Sequence, residues 1–123
     1  MFIPVKNDTG AVQPLEYLAA SVGEYKVGML LKNDCELSPI SDAETVNTTP
    51  PYLCMTDINI PEGEIAVIAV QRVNSSTIYE VANEDPVEPG KKCAVTGDGI
   101  VAETAGTFEI VENVDGAVRG RFV

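Results

Sequence analysis

The second half of this chain echoes its first, and that repetition constrains the fold more than any other feature. In the first half, residues 27–31, 36–38, 52–55 and 63–70 form apolar runs separated by turn-forming residues. In the second half, residues 89–93, 99–101, 107–111 and 115–123 repeat the order of glycine, strand, short strand, strand, glycine turn and closing strand. Asp115-Gly116 between two apolar runs is a strong hairpin signal, and Pro61-Glu62-Gly63 and Gly97-Asp98-Gly99 are turn chemistry of the same kind. The pattern predicts an all-β chain: a compact barrel or sandwich-like domain over residues 24–123. It is built from two similar four-strand units, about 24–73 and 78–123.

Residues 1–23 predict an extended N-terminal arm. Phe2, Ile3 and Val5 make an apolar tip, and residues 6–10 are polar and turn-forming. Val12, Leu15, Leu18 and Val22 are spaced loosely for one helical face, so a single helical turn before Gly23 is the other local reading. An apolar tip on a leader must bury itself, on its own sheet or on a neighbour.

The two closing strands differ in a telling way. With Gly63 set against Gly116, Ile65, Val67 and Ala69 match Val118, Gly120 and Phe122. The opposite face carries Ala66, Ile68 and Val70 in the first unit but Arg119 and Arg121 in the second. Side chains alternate between faces along a strand, so the second strand has one wet face while the first is apolar on both. A strand apolar on both faces needs cover on both. Each buried side chain of this size contributes about 1.5–3 kcal/mol, so Ile68 and Val70 are expected to be covered either by the N-terminal arm or by an adjacent subunit, and are the candidate subunit contact.

Composition narrows the function classes. The chain has 123 residues, with 19 acidic against 8 basic side chains and a net charge of −11. Such a surface repels phosphate backbones and anionic membranes, so nucleic acid and membrane are not expected partners. The 45% hydrophobic content supports a real core. No stretch reads as a signal peptide or a membrane span, and synthesis in the cytosol is expected. Histidine is absent, which removes the commonest general base and metal ligand. No nucleophile elbow, P-loop or S-x-x-K motif occurs. The acidic stretch Glu84, Asp85, Glu88 has oxygens suited to calcium, but its spacing fits no ligand loop. Cys35, Cys54 and Cys93 are too scattered for a disulfide framework or a zinc cluster, and Cys54 and Cys93, in strand-like runs, read as small buried hydrophobes. No catalytic residue, cofactor or metal is expected. The long polar segment 39–51 reads as an exposed loop, and it is the place where a small-ligand or carbohydrate-binding module without catalysis would have its site.

Residues 5–10 with 12–18, Lys26-Val27-Gly28-Met29-Leu30-Leu31, Tyr52-Leu53-Cys54-Met55 and the closing residues 116–122 together resemble small proteins of tailed bacteriophages and prophages of Firmicutes. Those proteins are head decoration, or capsid cement, proteins. The resemblance implies a compact β domain, favoured as a homotrimer. It would dock on the major capsid protein at the virion exterior, with a terminal arm touching the shell. On that reading Phe2, Ile3 and Val5 are the anchors, and removing residues 1–10 should abolish docking while leaving the domain folded.

Overall fold

The structure, a computed structural model, describes residues 1–8, 10, 13–41 and 44–123. It is all-β, with thirteen strands in chain order: β1 Phe2–Asn7, β2 Leu15–Ala20, β3 Gly23–Tyr25, β4 Leu30–Asp34, β5 Glu36–Pro39, β6 Tyr52–Cys54, β7 Ile58–Ile60, β8 Ala66–Arg72, β9 Thr77–Ala82, β10 Lys92–Val95, β11 Ile100–Ala105, β12 Phe108–Val114 and β13 Ala117–Phe122. They form a closed barrel β2-β5-β4-β6-β8, a six-stranded sheet β1-β9-β13-β12-β10-β11, and the separate pair β3–β7.

The two halves thus close differently. Residues of the first half curl into a barrel whose interior holds Ala20, Leu31, Leu37, Tyr52, Cys54, Ile68 and Val70. Tyr25 and Ile60, from the β3–β7 pair, join that core. The Tyr25 hydroxyl donates to the carbonyls of Ser21 (2.9 Å) and Leu37 (3.1 Å), which ties the pair to the barrel. The second half makes an open antiparallel sheet. Its inner face carries Tyr79, Val81, Phe108, Ile110, Val118 and Phe122 against Leu30 and Leu53 of the barrel. The period-2 alternation explains both cores: Leu31 and Tyr52 point into the barrel while Leu30 and Leu53 point out of it, under the sheet. The strands covered on both faces are therefore β4 and β6.

The stretch expected as an arm is part of this architecture. Residues Phe2–Asn7 form β1, an edge of the six-stranded sheet, paired antiparallel with β9. Residues Leu15–Ala20 form β2, paired antiparallel with β8 along its whole length. Neither is helical, and Val12 lies outside the described residues. The physical reason is Phe2. Its ring stands edge-on to Phe108 (5.5 Å between centroids, 85°) and lies 6.2 Å from Phe122, inside the core. Gly28 makes room for it. The chain turns there with φ +97°, the Gly28 carbonyl accepts the Phe2 amide (2.8 Å), and a Cβ at that position would meet Met1 Cβ at 2.8 Å. That turn also breaks the single strand that residues 25–32 suggest into β3 and β4.

The outer face of the six-stranded sheet is wet and charge-paired. Arg119 bridges Glu80 (2.9 Å) and Glu112 (3.2 Å), and Arg121 reaches Asp8 (2.7 Å). Exposed pairs of this kind set register more than they add stability.

Candidate docking surface

The residues expected to make contact divide sharply. Phe2 is buried in the aromatic core, and Ile68 and Val70 are buried inside the barrel, so none of the three can meet a partner. Ile3 and Val5 are exposed on β1. The alternation of β8 is real, but the face turned outward is the other one. Ile65 and Val67 are 64% and 68% exposed, and Tyr17 of β2 is 67% exposed. The strand register builds these into one surface: Tyr17 pairs with Ala69, Ala19 with Val67, and Leu15 with Gln71. Leu15, Tyr17, Ala19, Ile65, Val67 and Ala69 thus share one side of two neighbouring strands with no charged side chain among them.

The barrel has one such uncovered flank because the sheet covers only the other. On the β4–β6 side, Leu30 and Leu53 are sealed under the second half. On the β2–β8 side nothing from the described residues lies over the strands. An apolar sheet face left open in this way is a candidate interaction surface. Sequence reasoning found the two-sided strand and missed Tyr17 and Val67. Period-2 alternation assigns residues to two faces without saying which is inside. The signal that was available was the pairing partner: β2 shows the same polarity, with Leu15, Tyr17 and Ala19 on one side.

Beyond Gln71 the surface runs into a groove of about 400 Å³ between barrel and sheet, lined by Pro4, Val5, Asn7, Gln13, Gln71 and Tyr79 among others. Its amides are largely engaged with one another. Asn7 donates to Thr77 Oγ1 (3.0 Å), Gln71 to the Gln13 carbonyl (3.1 Å) and Asn74 to Gln13 Oε1 (3.0 Å). Asn74 links the two layers, because it also accepts from Thr77 Oγ1 of β9 (2.9 Å). The segment 39–51 is exposed at Ser41, Thr45, Asn47, Thr48, Thr49 and Pro51, as expected of a loop, and is anchored at a few points. Ile40 and Pro50 are buried, Val46 pairs with Val95, and Lys32 meets Glu44 at 3.2 Å; Asp42 lies outside the described residues. The acidic loop before β10 is held by Asn113, which accepts the Val87 amide (2.8 Å) and donates to its carbonyl (2.7 Å).

Among the described residues no group of three or more Cys, Asp or Glu side chains is placed to hold a metal ion. Burial pushes the Cys54 and Cys93 thiols and the Tyr25 and Tyr79 phenols up from their ordinary values. All four are thereby held in the protonated, poorly nucleophilic form. Cys35 differs from the other two cysteines, which are buried as expected. It is exposed, at the tip of the β4–β5 hairpin, with φ +67°. Iodoacetamide at mildly alkaline pH is therefore expected to label Cys35 alone in the folded protein and all three cysteines in denaturant. Mass spectrometry reads the outcome, and native labelling of Cys93 at the rate of Cys35 would show that the sheet does not protect it.

Comparison with protein-family models, with curated proteins and with solved structures finds no match to the chain.

Proposed function

We propose that this protein is a non-catalytic structural component of a tailed-phage head, one that docks on the major capsid protein at the capsid exterior and reinforces the shell. The observation that carries the reading is the open apolar flank of β2 and β8. Leaving Tyr17, Ile65 and Val67 in water while Leu30 and Leu53 on the β4–β6 side are sealed under the sheet makes physical sense for a module that works by being covered. The pattern resemblance described above supplies the class of partner.

In this reading the mechanism is mechanical. A head shell is held by many modest subunit contacts, and a subunit spanning a seam adds buried area across it. Stable contacts bury about 1,200–2,000 Å², and repetition around the shell multiplies the effect. Ile3 and Val5, exposed on the sheet edge, would meet a neighbouring copy in a homotrimer.

Co-sedimentation with heads assembled from the major capsid protein of the same phage tests this. Val67→Asp and Tyr17→Ser alter exposed positions, where substitutions shift stability by only about 0.5 kcal/mol. Both should fold as the parent does yet bind heads at least about tenfold more weakly, the effect of losing a hot-spot contact of about 1.4 kcal/mol or more. A parent protein that stays in the supernatant, or variants that pellet as it does, would overturn the proposal.

A further inference from the structure

We infer that the surface received by the β2–β8 flank is apolar at its centre and carries lysine or arginine at one end, and that it is not a second copy of this chain. This rests on the docking reading and specifies the chemistry of the partner.

The flank has a polarity along its length. At the end where Ala20 pairs with Ala66, the turn that feeds β8 carries Glu62 and Glu64. Both are exposed, and neither forms an ion pair with a described residue. The β4–β5 hairpin stands beside the same end, because Leu37 pairs with Ala20. Leu37 and Ala20 both point into the barrel, so the alternation turns Glu36 outward beside Ala19. Asp34, exposed at that hairpin, also lacks an ion pair. Four acidic side chains thus rim one end of an uncharged apolar face. At the other end Arg72 is already held by Glu16 in a two-point contact of 3.1 and 3.2 Å, which leaves no comparable free positive charge on β2 or β8.

Closing a partner over this face brings those carboxylates into a less polar setting, where an unmatched charge disfavours the complex. A second copy packed flank to flank would bring another chain of net charge −11 and, on its β2 and β8, offer only the paired Arg72. A partner with free lysine or arginine at the rim satisfies the carboxylates and is steered onto the face as it approaches. The rim therefore sets the orientation of docking as well as its strength.

The test uses the full chain and the same assembled heads at 50 and 500 mM NaCl, with sedimentation velocity of the chain alone beside it. The parent should bind at least about tenfold more weakly at high salt, since exposed charge pairs lose most of their attraction over that range. The Glu62→Lys/Glu64→Lys double variant should bind at least about tenfold more weakly at 50 mM and lose the salt dependence. Glu103→Gln, on the far edge of the sheet, should behave as the parent. If Val67→Asp abolishes head binding while the Glu62/Glu64 variant binds as the parent does, the docking reading stands and this inference fails. An oligomer of the free chain that Val67→Asp dissociates would put a second copy on the flank and overturn it as well. A parent that never binds heads would remove both.

Discussion

Phe2→Ala is expected to cost about 3–5 kcal/mol of stability, the usual range for deleting a buried phenylalanine ring. A chain lacking residues 1–10 is expected not to fold at all. Domains of this size have total stabilities of about 5–15 kcal/mol, so the single substitution alone removes a large part. The ring is fully enclosed and touches Phe108 and Phe122, which pack against each other, and Phe122 also packs against Tyr79. Truncation goes further. It strips the pairing of β1 from β9 and uncovers the inner residues of the sheet. Urea unfolding followed by far-ultraviolet circular dichroism reads both effects. This reverses the expectation drawn from the sequence, in which residues 1–10 were dispensable for folding. A truncated protein with a cooperative transition near that of the full chain would restore the idea of an independent arm.

Gly106→Ala is expected to destabilise the sheet by about 3 kcal/mol, the upper part of the range for overpacking. The cause is topological. β11 and β12 lie on opposite sides of β10, and Cys93 pairs with Ala105 on one side and Phe108 on the other. The connection between them must cross the β10 backbone at close range, and Gly106 is the crossing point. A methyl group there would stand 2.5 Å from Ala94 Cα and collide with the Cys93 carbonyl oxygen. Both obstacles are backbone atoms hydrogen-bonded into a central strand, so they cannot step aside as the end of a side chain would. The backbone itself is not strained at this position, which separates the effect from that of a turn glycine. Thermal unfolding of Gly106→Ala beside Gly116→Ala distinguishes the two: Gly116 has φ +74° and open space around it. Equal and small losses at both sites would show that the crossing is looser than described.

How much of this was legible in the sequence follows from how local each signal is. The hairpin at Asp115-Gly116, the turn at Pro61-Glu62-Gly63 and the strands that flank them were readable, because turn chemistry and alternation act over a few residues. The all-β class followed from the same signals. The placement of β1 and β2 was not readable. Nothing within residues 1–23 names β9 or β8 as a partner, and each pairing spans more than forty residues. The doubly covered strand was assigned to the wrong element for a related reason. β8 is apolar on both faces by composition, yet β4 and β6 are the strands sandwiched between the two cores, a fact fixed by where the second sheet lies. The candidate docking surface was half visible: residues 65–70 were singled out, and the exposed member of each alternating pair was taken for the buried one.

The pairing of β1 with β9 also bears on how the chain reaches its native state. Asn7 and its partner Thr77 are 70 positions apart, so β1 is synthesised well before β9 and must wait for it to find its pairing partner. Throughout that interval Phe2 and Ile3 are exposed on a nascent segment, with Pro4 beside them discouraging premature strand pairing. Long-range pairing of this kind makes for slow folding, and β1 stays without its sheet partner at least until residues 77–82 have been made.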